Sequence, residues 1–403
     1  MEAQPFTPKR SPLRRIGRNV YLMGLVSLFA DVSGDLVYPI VPLFLTLTLG
    51  APMVVVGLVE GIADGSSNVF KVISGWLSDH TRSRRPFINL GYGIAALSKL
   101  MLALAAHWGV VAVSRAADRM GKGIRGAPRD ALISQSVDPD IRGAAFGLHR
   151  AMDTAGGLIG SLLAFFLVTM FTNNLRLAFA VAVFPAFLAF LLTFAVREAQ
   201  PTEAQTQDPG KSKPSWRRLP RQYWLVVVVM MAFSLANSSD AFILLRFKNL
   251  GLGVGAVILT YVVFNAVYAA LAYRMGALSD RVGRRRLILA AFALYAFTYL
   301  GLAVAPGSWA VWPLLAVYGA YLSIGEGVGQ ALIADCTPTA LRATGMGLYQ
   351  GAYGVGVLLA SLAAGTLWDS FGPSTPFLLG SGLAALAFVL GTRYLPDSRA
   401  FVK

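Results

Sequence analysis

The chain of 403 residues is 56% hydrophobic and only 14% charged, with a mean hydropathy of +0.60, which excludes a water-soluble globular domain of ordinary composition. Its net charge of +15 would point to nucleic acid in a soluble protein, but here the bases cluster at alternate loops, the positive-inside pattern of a membrane protein. A single cysteine, Cys336, excludes an internal disulfide and a cysteine-based metal cluster.

The expected elements are helices long enough to cross a hydrocarbon layer that takes roughly 20 helical residues. A basic tail (1–19) precedes six helices near 20–49, 53–79, 86–106, 108–136, 141–171 and 175–197. The basic start and apolar run imitate a signal peptide, but the run is too long, contains Asp31 and Asp35, and lacks a small-residue cleavage site, so it reads as the first membrane helix. Glu198 to Arg221 is polar, with Pro201, Pro209, Gly210 and Pro214, and forms a linker (198–221) between bundles at 20–197 and 222–394. Six further helices follow near 222–249, 254–280, 285–305, 308–336, 340–371 and 374–394, before a basic tail (395–403). Basic clusters at Lys9 to Arg18, Arg82 to Arg85, Lys211 to Arg221, Arg281 to Arg286 and Arg393 to Lys403 put both termini and the linker on the cytoplasmic side. The fold class is therefore an all-α membrane protein with twelve transmembrane helices in two six-helix bundles.

The two sets of six are related. Asp130-Ala-Leu-Ile133 returns as Gln330-Ala-Leu-Ile333, and the same register pairs Arg142 with Arg342, Gly156 with Gly356, and Ser161-Leu162 with Ser361-Leu362. Duplicated halves in an apolar chain mark secondary transporters, whose substrate site lies where the halves face each other. Small residues at Gly156, Gly157, Gly160 and Ser161, and at Gly351, Gly354, Gly356 and Ser361, allow close helix packing and smooth faces for rocking.

Gly276, Leu278, Ser279, Asp280, Arg281, Gly283, Arg284 and Arg285 follow the second helix of the second half; Gly75, Leu77, Ser78, Asp79 and Arg84 occupy the same place in the first. With these two loops, the basic linker and the duplicated halves, the chain resembles the major facilitator superfamily over its whole length. That resemblance implies a pseudo-symmetric twelve-helix fold in which both loops form a cytoplasmic gate. In the first loop His80, Arg82 and Ser83 stand where the family has Arg, Gly and Arg. Arg119 aligns with the Arg of the family's Arg-x-x-Gln-Gly motif, linked there to proton transfer, with Lys122 in place of Gln; Gly156-Gly157-Leu-Ile-Gly160-Ser161 is similar to the antiporter motif without its Pro.

Ionisable groups inside membrane helices persist mainly in pairs or in a watered cavity. Asp31 and Asp35 lie one turn apart, as do Glu60 and Asp64, with Lys71 farther along that face. In the fourth helix Arg115, Asp118, Arg119, Lys122, Arg125 and Arg129 form overlapping stripes that put Asp118 beside Lys122,. Each charge is either a static salt bridge or part of a proton or substrate site. The expected proton-coupling set is Asp31, Asp35, Glu60, Asp64, Asp118 and Asp240, with Asp35 and Asp240 at equivalent positions of the two halves. The expected substrate set is Arg119, Lys122, Arg125, His149, Arg150, Asp153, Asn237, Asn265, Tyr268, Glu326 and Gln350. His149 is either a structural histidine or a relay, since imidazole titrates near neutrality. Lys99 is expected to snorkel or pack, and Arg115 to serve the outer vestibule.

No phosphate-binding loop or hydrolase triad is present, so ATP and enzymatic chemistry are not expected. No cofactor is implied. Asp31, Asp35, Asp64 and Asp153 would suit a hard cation, but the surrounding bases argue against a metal. The expectation is a monomeric, multi-pass protein of the inner membrane whose partners are a small-molecule substrate, protons and the bilayer. It would export an anionic, zwitterionic or amphiphilic solute by proton antiport; proton symport, divalent metal efflux and a non-transporting sensor remain the alternatives.

Overall fold

The computed structural model describes residues 17–81, 83–138, 141–171, 174–198, 216–338 and 341–396. The N-terminal tail before residue 17, the body of the expected linker (199–215) and the last seven residues lie outside the described residues. The described chain is helical: α1 (Arg18–Thr48), α2 (Met53–Thr81), α3 (Arg85–Ala103), α4 (Trp108–Gln135), α5 (Arg142–Met170), α6 (Leu175–Thr193), α7a (Arg221–Ser234), α7b (Ala241–Asn249), α8 (Val254–Val282), α9 (Arg284–Val304), α10 (Val311–Asp335), α11 (Arg342–Phe371) and α12 (Thr375–Tyr394). Nine of these are apolar and long enough to span a bilayer among the described residues. Helix α4 carries so many charges that it needs neighbours rather than lipid on most of its surface.

Helix α1 is regular only to Val37; it turns through 38–40 and finishes as Val41–Leu43 and a π turn at Phe44–Thr48. Pro39 explains the break, since it lacks an N–H and its ring crowds the carbonyl one turn earlier, that of Asp35,. The expected helix over 222–249 is two helices, α7a and α7b, separated by 235–240. In that gap Asn237, Ser238 and Ser239 offer side chains that compete for backbone hydrogen bonds. The freed groups find new partners: Tyr295 Oη donates to the Ala236 carbonyl at 2.8 Å, and the Ser239 amide donates to Ser361 Oγ at 3.1 Å. Broken helices survive in a membrane only when neighbours re-satisfy the backbone in this way.

In the first bundle α1 packs on α5 and α6, α2 on α4, and α3 on α4 and α6; in the second, α9 packs on α10 and α12, α8 on α10, and α7a on α12 and α11. Glycines set the close crossings. A Cβ on Gly156 would sit 2.3 Å from the Leu28 carbonyl oxygen, and one on Gly121 2.5 Å from that of Gly91, so α1–α5 and α3–α4 meet backbone to backbone.

The bundles meet along α2–α11 and α5–α8, seams that the internal duplication relates to one another. The first is the tighter. A Cβ on Gly57 would lie 2.2 Å from the Ser361 carbonyl oxygen, and one on Gly365 2.3 Å from that of Met53. At the end of the molecule away from the termini, Asp369 accepts from the amides of Met53 at 3.0 Å and Val54 at 2.8 Å, so a carboxylate of one bundle caps the first turn of a helix in the other. Gly57→Leu is expected to part the bundles at this end. Spin labels at positions 52 and 370, read by pulsed electron resonance, should report a longer distance in the variant than in the parent.

Candidate functional site

Two joined chambers, of about 470 Å³ and about 860 Å³, lie between the bundles and share Asp31, Lys122, Arg125, Arg150, Asp153, Tyr268 and Leu322 in their walls. The larger reaches Lys71, Arg129 and Asp130 on one bundle and Arg284 and Gln330 on the other, and so extends toward the end of the molecule that carries the termini. The smaller ends at Tyr38, Asp240, Tyr261 and Phe264. There the Tyr38 and Tyr261 rings meet across the bundles at a tilt of 31°, with centroids 5.2 Å apart, and Tyr261 Oη donates to Asp35 Oδ1 at 2.9 Å. The site is thus roofed at the far end.

Helix α4 supplies most of the charge, and its neighbours answer it. Arg115 grips Glu60 of α2 with two bonds, Nε to Oε1 at 3.1 Å and Nη2 to Oε2 at 2.6 Å, both residues being buried. Arg119 lies 3.6 Å from Asp64, and Arg115 and Arg119 both approach the Tyr38 ring, a favourable setting for a cation. Asp118 pairs at 3.0 Å with Lys99 of α3, not with Lys122 as the helical spacing predicted. Lys99 therefore neither snorkels nor packs passively: α3 is rotated so that this side chain enters the cavity wall. Arg115 is likewise a buried partner of Glu60 rather than an outer-vestibule residue.

Asp35 fits because α5 has a glycine opposite it: a Cβ on Gly157 would lie 2.4 Å from Asp35 Oδ2. Asp31 of α1 and Asp153 of α5 are close neighbours in the wall that both chambers share. His149 is buried and bonded to Ser27 Oγ at 3.0 Å, and Ser27 also accepts from Arg129 at 3.2 Å. Arg150 lies 3.7 Å from Asp153 and donates to Tyr268 Oη across the bundles at 3.1 Å.

The second bundle presents tyrosines where the first presents ions. Asp240, in the break of α7, accepts from Tyr318 Oη at 2.6 Å, and Asn237 donates to Tyr353 Oη at 2.9 Å. Behind them Tyr295 and Tyr299 stack at 4.1 Å and Phe233 and Phe292 at 4.4 Å. Phe233, Phe292, Tyr321 and Tyr353 wall the larger chamber. Gln350 lines it too, and Asn265 lines the smaller one.

Several polar atoms in this wall have no described partner. They include Nε and Nη1 of Arg125, Oη of Tyr92 and Nδ2 of Asn265. Arg125 is 7% exposed and its guanidinium lies 4.2 Å from the centre of the Tyr92 ring. Lys122, one turn earlier, forms no described salt bridge. Among the described residues no group of three or more His, Cys, Asp or Glu side chains is placed to hold a metal ion.

The expected gate residues are only partly described. Arg84 Nη1 donates to Ser78 Oγ at 2.8 Å, Gly75 faces Ala127, and Gly283 has φ of 96°, a turn conformation that favours glycine. Arg284 donates to the Ala331 carbonyl at 2.6 Å and pairs with Asp335; Arg285 donates to the Thr392 carbonyl. The side chains of Asp79, Asp280, Arg281 and Glu326 lie outside what the structure describes, and Gly276 is described only as part of α8.

The sequence model described as Major Facilitator Superfamily matches residues 23–258 and 226–403. The chain belongs to the Major Facilitator Superfamily. It is a transporter rather than an enzyme, and an integral membrane protein. An uncharacterised MFS-type transporter of Methanocaldococcus jannaschii is 33% identical over 94% of this chain and 95% of its own length. The multidrug efflux pump LfrA of Mycolicibacterium smegmatis is 29% identical over 46% of this chain and 38% of the pump. A crystal structure of a D-xylose-proton symporter superposes with a TM-score of 0.75 at 17% identity, covering 96% of this chain and 99% of the symporter, a likeness of fold alone.

The Glu60–Arg115 pair generates a stability test. Glu60→Gln leaves a buried guanidinium without its counter-ion and is expected to cost on the order of 3–5 kcal/mol, whereas replacing both residues by Met recovers most of the loss. Thermal unfolding of the detergent-solubilised variants measures both.

Proposed function

We propose that the protein exports a small organic anion or zwitterion across a bacterial-type inner membrane, exchanging it for protons by alternating access. The observation that carries this reading is the ionised cavity between the bundles, reaching the terminal side and roofed at the other by Asp35 and Tyr261. The basic clusters support a cytoplasmic position for the terminal side,, which makes the loading face the one a cytoplasmic solute would reach. The similarity to an efflux pump over part of the chain favours export.

The position of Asp35 supports proton coupling. Its carboxylate belongs to one bundle and its hydrogen-bond donor to the other, so opening the far end breaks the bond and changes what a proton on Asp35 competes with. Asp240 occupies the matching place of the second bundle, but its donor, Tyr318, lies within the same bundle. A rocking motion separates Asp35 from Tyr261 and keeps Asp240 with Tyr318. The cycle works as a monomer, since both bundles needed for it lie on one chain.

Asp35→Asn is expected to abolish solute movement driven by a pH gradient while leaving solute exchange at equal pH. Asp240→Asn is expected to have the smaller effect on gradient-driven movement. Proteoliposomes with an entrapped pH dye measure both, and proton flux running with the solute instead of against it would identify uptake by symport. Normal concentration of solute by both variants would remove the proposed proton site.

A further inference from the structure

We propose that Arg125 and Lys122 of α4, with the hydroxyl of Tyr92, anchor the carboxylate of an amphipathic aromatic monoanion whose flat body lies on the aromatic wall of the second bundle. This rests on the transport reading above and specifies the substrate class of the same cavity.

The anchor is identified by what its neighbours leave undone. Lys99, Arg115 and Arg119 each have a carboxylate, and Arg150 has Asp153 and Tyr268. Arg125 has none: it sits 93% buried against the Tyr92 face with Nε and Nη1 unbonded, and Tyr92 Oη beside it is unbonded as well. Buried donors without acceptors cost free energy, and a guanidinium is built to take a planar carboxylate with two parallel bonds. Arg125 and Lys122 both line the region that the two chambers share, where an entering solute meets them. The acids at that level, Asp31 and Asp153, lie beside Lys122, and Asp153 is the partner of Arg150, so Arg125 is the cation left without a described carboxylate.

The opposite wall sets the rest of the ligand. Leu322 stands in the second half where Lys122 stands in the first, and it lines the same shared region. Around it Phe264, Tyr268, Tyr321 and Phe233 offer flat apolar faces. A charged pole on one bundle and an aromatic pole on the other select a molecule with one anionic head and a planar body. The unbonded Nδ2 of Asn265 adds a donor on the aromatic side, which recognises an acceptor on that body.

The test is equilibrium binding to the purified full-length protein in detergent, by calorimetry, with naphthoate, naphthamide, naphthylmethylammonium and acetate as probes. Naphthoate is expected to bind on the order of ten- to a hundred-fold more tightly than the isosteric naphthamide, with the ammonium compound and acetate weaker still. Lys122→Gln and Tyr92→Phe, both compatible with the fold, should each shrink the naphthoate-over-naphthamide preference several-fold, and Arg125→Gln should erase it. Phe233→Ala should weaken naphthoate and naphthamide alike. Equal binding of naphthoate and naphthamide to the parent, no naphthoate binding, or a preference that survives Arg125→Gln in a variant with parental melting would each overturn the anchor. Tight naphthoate binding without any gradient-driven flux in proteoliposomes would leave the anchor standing and overturn the transport reading instead.

Discussion

The structure turns on the need to neutralise α4. A helix carrying Arg115, Asp118, Arg119, Lys122, Arg125 and Arg129 has no stable place against lipid, where each unpaired charge costs several kcal/mol. Helices α2 and α3 solve this by presenting Glu60, Asp64 and Lys99 at matching heights, and glycine crossings bring them close enough: a Cβ on Gly123 would lie 2.5 Å from the Ser67 carbonyl oxygen. Pairing then fixes the orientation of α4, and that orientation exposes Lys122 and Arg125 to the cavity. Architecture and binding surface thus follow from one electrostatic constraint.

The duplicated half meets the same geometric problem with different chemistry. Lys99, Asp118, His149 and Asp153 correspond two hundred residues later to Tyr299, Tyr318, Tyr349 and Tyr353, and Glu60 corresponds within one residue to Tyr261. A tyrosine fills comparable space, keeps one hydrogen-bonding atom and carries no charge to desolvate. Hence the second bundle holds its break at 235–240 with hydroxyls rather than ions, and its inner wall is aromatic. The two bundles share a fold while dividing the polar and apolar work between them.

Much of this was legible in the chain. The repeat register related the helices of the two halves, the similar segments Ser33-Gly34-Asp35 and Ser238-Ser239-Asp240 matched Asp35 with Asp240, and the crowded charges of the first half marked the cavity wall. Partner choice was not legible, because it depends on helix rotation: spacing alone put Asp118 beside Lys122, whereas the turn of α3 delivers Lys99 to it. The break in α7 was hidden because Asn237, Ser238 and Ser239 sit in an apolar run that reads as one helix. Tyr92, Tyr261 and Tyr318 were not singled out in the sequence; the repeat comparison held the signal for the last two, since each stands opposite an acid, Glu60 and Asp118.

The two seams between the bundles are not mechanically equal. Along α2–α11 main chain lies on main chain at Gly57 and Gly365, while Gly255 of α8 meets side chains, the Thr169 methyl and the Phe165 ring, across α5–α8. Separating close-packed main chains forfeits many dispersion contacts at once, whereas a methyl contact gives way by a rotamer change. The pair α2–α11 is therefore the stiffer seam and α5–α8 the more yielding one, so in the proposed export cycle the far mouth would first widen along the α5–α8 flank.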